Sequence, residues 1–164
     1  MTLRIAAARR EDCDVVFALI RALAKYEKLA AQVTGTAEDL RRELFHERPV
    51  IEAVIAWKDE RAVGFALYFH NYSTFLARRG LYLEDLFVVP EARGQGIGKA
   101  LIHHCARVAV ERGCGRFEWS VLDWNQPAIE FYQSIGATMM HDWRICRLSG
   151  ETLQRFATVS APQP

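Results

Sequence analysis

The chain has 164 residues, 51% hydrophobic and 25% charged, with 21 Lys+Arg against 20 Asp+Glu for a formal net charge of +1. That length suits one domain spanning 1–164, with a core over about 3–157 and a frayed tail at 158–164, and the composition excludes a disordered or fibrous chain. A near-neutral total supplies no field to draw nucleic acid or an acidic membrane surface, and no apolar run has the length of a signal sequence or a membrane span. A cytoplasmic protein without nucleic-acid or membrane partners is therefore expected.

Leu3, Ile5 and Ala7 alternate with Arg4 and Ala6 and predict a short opening strand. Asp12 then stands as the cap of a helix whose apolar residues Val15, Val16, Leu19, Ile20 and Leu23 recur at helical spacing. Thr36 and Asp39 have capping-box spacing and open a second helix through Leu40, Leu44 and Phe45, which must stop near Pro49. Val50 to Trp57 and Ala62 to Phe69 are rich in β-branched and aromatic residues and predict two strands joined by the polar turn KDER. The segment HNYSTFLARRG reads as a longer loop. Leu81 to Val89 reads as a further strand, ended by Pro90, which has no N–H to donate.

From Ile97, the residues Leu101, Ile102, Cys105, Val108 and Ala109 trace one helical face that Gly113 closes. Phe117 to Leu122 predicts a strand, and Asn125-Gln126-Pro127 the entrance of a short helix ending at Gly136. The tail predicts strands at Thr138 to Met140 and Trp143 to Leu148 about a turn at His141-Asp142, then a short helix around Leu153 and Phe156, with SAPQP frayed. Together these elements make a mixed α/β layer fold.

The stretch VVPEARGQGIGKAL raises the first chemical question. A dinucleotide fingerprint starting at Gly94 needs glycine where Lys99 stands, and a P-loop needs glycine at 93 and Ser or Thr after Lys99, where Arg93 and Ala100 stand. Both patterns fail. What remains is a strand end, converging N–H groups at glycines and a helix N-terminus, with Arg93 and Lys99 adding positive charge. On the glycines alone, a pyrophosphate seat and a tight turn without ligand both stay open.

Arg93-Gly94-Gln95-Gly96-Ile97-Gly98 resembles the [QR]xxGx[GA] signature of the GNAT superfamily of N-acetyltransferases, and LYLEDLFVVPEA resembles that family's fourth strand. WNQPAIEFY, followed by Gly136-Ala137, resembles a second family motif. LAKYE (Leu23 to Glu27), YLEDLFV, the run from Glu118 to Asn125, and Trp143-Arg144 resemble the subfamily of diamine (spermidine/spermine) acetyltransferases and their thialysine-acetylating relatives, from about Ile5 to Ala157. The resemblance implies a mostly antiparallel twisted sheet with splayed fourth and fifth strands. It implies acetyl-CoA as cosubstrate, held by Leu86, Phe87, Val88, Arg93, Gly94, Gln95, Gly96, Ile97, Gly98, Lys99, Asn125, Ala128 and Tyr132. It also implies a homodimer.

An alkyl ammonium has a pKa of about 10.4 and must lose a proton before it attacks a thioester. Glu84, just before the cofactor loop, is placed to take that proton directly or through water, a role its resemblance to the family's strand glutamate supports over a strand glutamate simply facing solvent. Backbone N–H groups near Phe87 and Val88 are candidates for the oxyanion. Tyr132 is the candidate acid for the departing thiolate, a role the family motif favours over simple core packing with Ile129 and Phe131. Asn125 is a helix cap, a cofactor contact, or both.

A covalent route through Cys114 lacks a neighbouring histidine in the sequence. Cys13, Cys105, Cys114 and Cys146 form no CxxC or CxxH pair, and adjacent His103 and His104 diverge on a helix, so no metal is expected.

A cationic amine needs local carboxylates in a neutral protein, and Glu27, Glu84, Asp85 and Asp123 are the candidates. The resemblance adds Tyr26, Trp119 and Ser120 to that pocket. His141-Asp142 is shorter than the acidic turn at this place in the diamine enzymes, which brings a shorter diamine or lysine analogue into contention. A peptide or protein amine acetyltransferase and a non-catalytic CoA-binding module are the alternatives.

Overall fold

The computed structural model describes residues 2–158. Its elements run β1 (Leu3–Ala7), α1 (Cys13–Tyr26), α2 (Ala37–Leu44), β2 (Ile51–Lys58), β3 (Arg61–Ser73), β4 (Arg78–Val88), α3 (Ile97–Glu111), β5 (Phe117–Trp119), α4 (Gln126–Ser134) and α5 (Gly150–Thr158). The chain divides into two compact units, which meet between Ser120 and Val121 in the sequence.

The first unit holds a sheet in the order β1-β2-β3-β4-β5, antiparallel except for the parallel pair β4 and β5. Helices cover both faces, so the central strands carry unbroken buried runs instead of strict alternation. Cys13, Val16, Leu19 and Leu23 of α1 and Leu44 of α2 pack with Ala53, Ile55, Phe65, Leu67 and Phe87. The apolar face of α3 buries Ile97, Leu101, Ile102, Cys105 and Ala109. This is the predicted mixed α/β layer fold.

Two caps show how the sequence fixes helix starts. Thr36 and Asp39 form the expected box: the Thr36 Oγ1 accepts from the Asp39 N–H at 3.1 Å, and the Asp39 carboxylate accepts from the Thr36 N–H at 2.9 Å. Asp12 precedes α1 as expected but its side chain does not cap it. Its carboxylate instead accepts from the Arg9 N–H at 2.8 Å and Arg9 Nε at 3.2 Å, closing the turn before the helix.

The structure corrects three expectations here. HNYSTFLARRG is mostly strand: β3 continues to Ser73 and β4 begins at Arg78, because Asn71 pairs with Gly80, Tyr72 with Arg79 and Ser73 with Arg78. A Cβ at Gly80 would lie 2.2 Å from Asn71 Oδ1, the end of a side chain that would have to turn aside. The strand expected from Phe117 to Leu122 ends at Trp119, the last residue to face a β4 partner. The second helix ends at Leu44, well before Pro49.

In the second unit, α4 begins after Asn125 with Pro127 in its first turn, and the chain leaves it through Gly136 at φ 90°. The strands expected at Thr138 to Met140 and Trp143 to Leu148 are absent. Residues 137–149 form no ladder, and the turn at His141-Asp142 joins two irregular segments. Strand-like composition becomes a strand only when its N–H and C=O groups find a neighbouring chain. α5 occupies the expected place around Leu153 and Phe156, and the SAPQP tail lies outside the described residues.

Candidate active site

The site begins with an irregularity in β4. Its register against β3 passes from Leu67 opposite Asp85 to Tyr68 opposite Leu83, leaving Glu84 as the extra residue of a β-bulge. The bulge reverses the parity of the strand. Before it, the Leu81 N–H donates to Arg116 across the β5 edge at 3.0 Å; after it, the Val89 N–H donates to Val63 of β3 at 3.0 Å. Alternation along the ladder then commits the Phe87 N–H to β3 and turns those of Leu86 and Val88 toward the β5 side. There β5 pairs only as far as Leu83 with Trp119, so among the described residues the β4 edge from Glu84 to Val88 is free of a strand partner. Of the two residues expected to offer N–H groups to an oxyanion, Val88 therefore faces the β5 side and Phe87 does not; the Leu86 N–H faces it with Val88.

Beyond this edge lies the glycine loop. Gly94 and Gly96 adopt φ of 72° and 78°, and a Cβ built on either would meet nothing within 4 Å. The glycines are required by backbone conformation, and the space beside them is open. Gly96 is the N-cap of the fifteen-residue α3, so the helix's unpaired N–H groups and its positive dipole end border the same space as Lys99 in its first turn. Gln95 Oε1 accepts from Lys58 Nζ at 2.5 Å, fastening the loop to the end of β2. These residues fit a pyrophosphate-bearing cofactor. The Arg93 side chain turns back from the loop: its Nε donates to the Val88 carbonyl at 3.0 Å, and its guanidinium stands 4.4 Å from the Tyr26 ring centroid.

Carboxylates gather near the same strand end. Asp85 is half-buried, and burial, aided by the charges of Glu84 and Glu27, pushes its pKa up to about 6. Glu27, the C-cap of α1, is likewise raised by burial. Among the described residues no cation pairs with Glu27, Glu84 or Asp85. Asp85 thus sits in a field of like charge that a bound ammonium would relieve. Glu84 itself is exposed. Trp119 is partly buried at the end of β5, and the Ser120 Oγ pairs with the Tyr82 hydroxyl at 2.8 Å.

The remaining predicted residues belong to the second unit. Asp123 is exposed before α4. Asn125 is buried and caps α4 through its carbonyl, which accepts from Ala128 and Ile129 at 3.1 and 3.0 Å, while its side chain makes no capping bond. Ala128 is partly buried, and Tyr132 is 8% exposed with its ring 5.4 Å from that of Phe131.

Sequence reasoning missed the bulge and underrated Asp85; the available signal was a Glu-Asp pair inside the apolar strand LYLEDLFV. Cys114 does approach a histidine, with its Sγ 3.8 Å from His70 Nδ1. That nitrogen is within 2.9 Å of the Gly80 carbonyl and the other receives Arg112 at 3.0 Å, so the ring acts as a brace.

Residues 17–137 match the model of the Acetyltransferase (GNAT) family. The chain belongs to the GNAT acetyltransferase family. This acetyltransferase is 39% identical to a thialysine N-epsilon-acetyltransferase of Sus scrofa, over 93% of this chain and 96% of that one. It is 44% identical to an L-ornithine N5-acetyltransferase of Arabidopsis thaliana, over 71% of this chain and 48% of that one. Among solved structures, an integron cassette protein from the mobile metagenome of V. cholerae superposes with a TM-score of 0.79 at 29% identity, covering 96% of this chain and 99% of that one.

Proposed function

We propose that this enzyme transfers the acetyl group of acetyl-CoA to a primary amine of a small cationic substrate, a diamine, a polyamine or a lysine analogue such as thialysine. The observation that carries the amine assignment is the trio Glu27, Glu84 and Asp85, raised or exposed and without a cation among the described residues, beside the free edge of β4. The relatives' named substrates, thialysine and ornithine, both end in an ammonium that such a trio would bind. Tyr26, Trp119, Ser120 and Asp123 complete the substrate set in this reading.

Acetyl-CoA, when bound, supplies the activated acetyl thioester. Loop residues Arg93 to Lys99 and the α3 N-terminus hold its pyrophosphate, and Leu86, Phe87, Val88, Asn125, Ala128 and Tyr132 line the remainder. Glu84, exposed on the bulge, takes the ammonium proton directly or through water. The Leu86 and Val88 N–H groups offer fixed donors where negative charge develops. Tyr132 holds the proton that the departing thiolate requires. No metal takes part.

The chain acts as a cytoplasmic homodimer of single-domain subunits in this reading. Exposed Trp143, Ile145 and Leu148 on a segment without ladder partners supply the apolar surface for a second copy.

A thiol-release assay over thialysine, ornithine, lysine, diamines and spermidine tests the reading. Turnover on at least one short amine is expected, and silence on all refutes the amine assignment. Tyr132→Phe is expected to lower kcat by about 10²-fold with nearly unchanged CoA affinity; an unchanged kcat removes Tyr132 as the acid.

A further inference from the structure

Arg93 joins three elements through one side chain. It belongs to the cofactor loop, its Nε donates to the Val88 carbonyl on the free edge of β4, and its guanidinium lies over the ring of Tyr26, the last residue of α1. Phe87 adds a second ring at 5.7 Å. No carboxylate pairs with Arg93 among the described residues, so the aromatic face and the carbonyl are what hold it. Lysine would charge the loop equally well. Only a planar fork can donate along its edge to a carbonyl while its face lies on an aromatic ring.

The residue after Tyr26 is Glu27, whose charge bears on Asp85 across from it. We propose that Arg93 is a positioning residue for the amine pocket as well as part of the cofactor loop: by clasping Tyr26 to the β4 edge it fixes the end of α1 that presents Glu27 to Asp85 and Glu84. The inference rests on reading this end of α1 as the amine side and residues 93–99 as the cofactor side. The two substrates then share one structural part. With Nε used by Val88, the Nη groups stay available to phosphate oxygens, so the same guanidinium serves both sides.

The test combines calorimetric titration of coenzyme A into the free enzyme with steady-state kinetics on thialysine, for wild type, Tyr26→Phe, Tyr26→Leu, Arg93→Lys and Arg93→Ala. Tyr26→Phe keeps the ring and is expected to bind coenzyme A as wild type does, whereas Tyr26→Leu weakens binding about fivefold. Arg93→Lys and Arg93→Ala are each expected to raise the amine KM about fivefold, with a smaller fall in kcat. The double variant Tyr26→Leu/Arg93→Ala should raise the amine KM by less than the product of the two single effects, because the shared contact is already lost in each. An Arg93→Ala enzyme altered only in its acetyl-CoA constant, or Tyr26→Leu with wild-type coenzyme A affinity, overturns the proposal. Melting temperatures screen out unfolded variants, and Arg93→Lys with Tyr26→Phe preserves the comparison if the larger truncations fail to fold. Wild-type enzyme that acetylates no amine refutes the substrate reading alone, and the titration arm then decides the clasp by itself.

Discussion

Asp85 carries a cost that the proposed amine pocket explains. Burial and two neighbouring acids raise its pKa to about 6, so the folded protein binds a proton there that the unfolded chain, with an ordinary aspartate near 3.9, has already released. Between those values the native state holds more protons than the unfolded state, so stability falls as pH rises from about 4 to about 6 and stays lower above. Asp85→Asn is accordingly expected to melt higher than wild type at pH 7.5, with the advantage gone below about pH 4, and to raise the amine KM about tenfold. A variant that melts lower at pH 7.5 would show that Asp85 has a stabilising partner. In the wild type, amine kcat/KM should climb through about pH 6 as Asp85 ionises. The identity of these residues was visible in the sequence, but not their ranking: Glu84 and Asp85 are adjacent acids on one line of text, and only the bulge leaves one exposed and the other half-buried.

Among the elements, β4 has the most demanding environment, because its last turnless stretch must pair with β3 on one side and stay free on the other. Gly64 makes the pairing possible. A Cβ there would stand 2.6 Å from the Phe87 carbonyl oxygen and 3.3 Å from both Leu101 Cδ1 and Val88 Cγ2. Backbone cannot yield as a flexible side chain does, so Gly64→Ala is expected to cost about 1–3 kcal/mol and to weaken coenzyme A binding through a displaced β4 edge. Urea denaturation measures the first effect and calorimetry the second. Gly35→Ala, with no atom within 4 Å of its Cβ and no left-handed φ, is the control expected to be nearly neutral. The sequence disclosed α1, α2 and α3 through periodicity and the Thr36 box, since these signals are local. It did not disclose that β3 runs on to Ser73, because that extension is decided by pairing with Arg78, Arg79 and Gly80 of the opposite strand.

At the scale of the whole molecule, the segment after α4 exposes large apolar side chains. Trp143 is 76% exposed and Ile145 73% exposed, on a segment whose composition suits a strand. A homodimer would give that segment a partner, and sedimentation equilibrium should report twice the mass of the chain, shifting toward the single-chain mass in Trp143→Glu/Ile145→Glu. A single-chain mass for wild type at micromolar concentration would refute the dimer. The sequence by itself determined the layer architecture, the helix starts and the family, because periodicity, caps and the spacing RGQGIG are properties of neighbouring residues. Tertiary structure alone decided that Leu86 and not Phe87 turns its N–H to the β5 side, that Asp85 is the most strongly perturbed of the acids, and that Arg93 turns back to Tyr26. Each of those depends on which strand ends first and what packs across it, and pairing between residues distant in the chain leaves no local pattern to read.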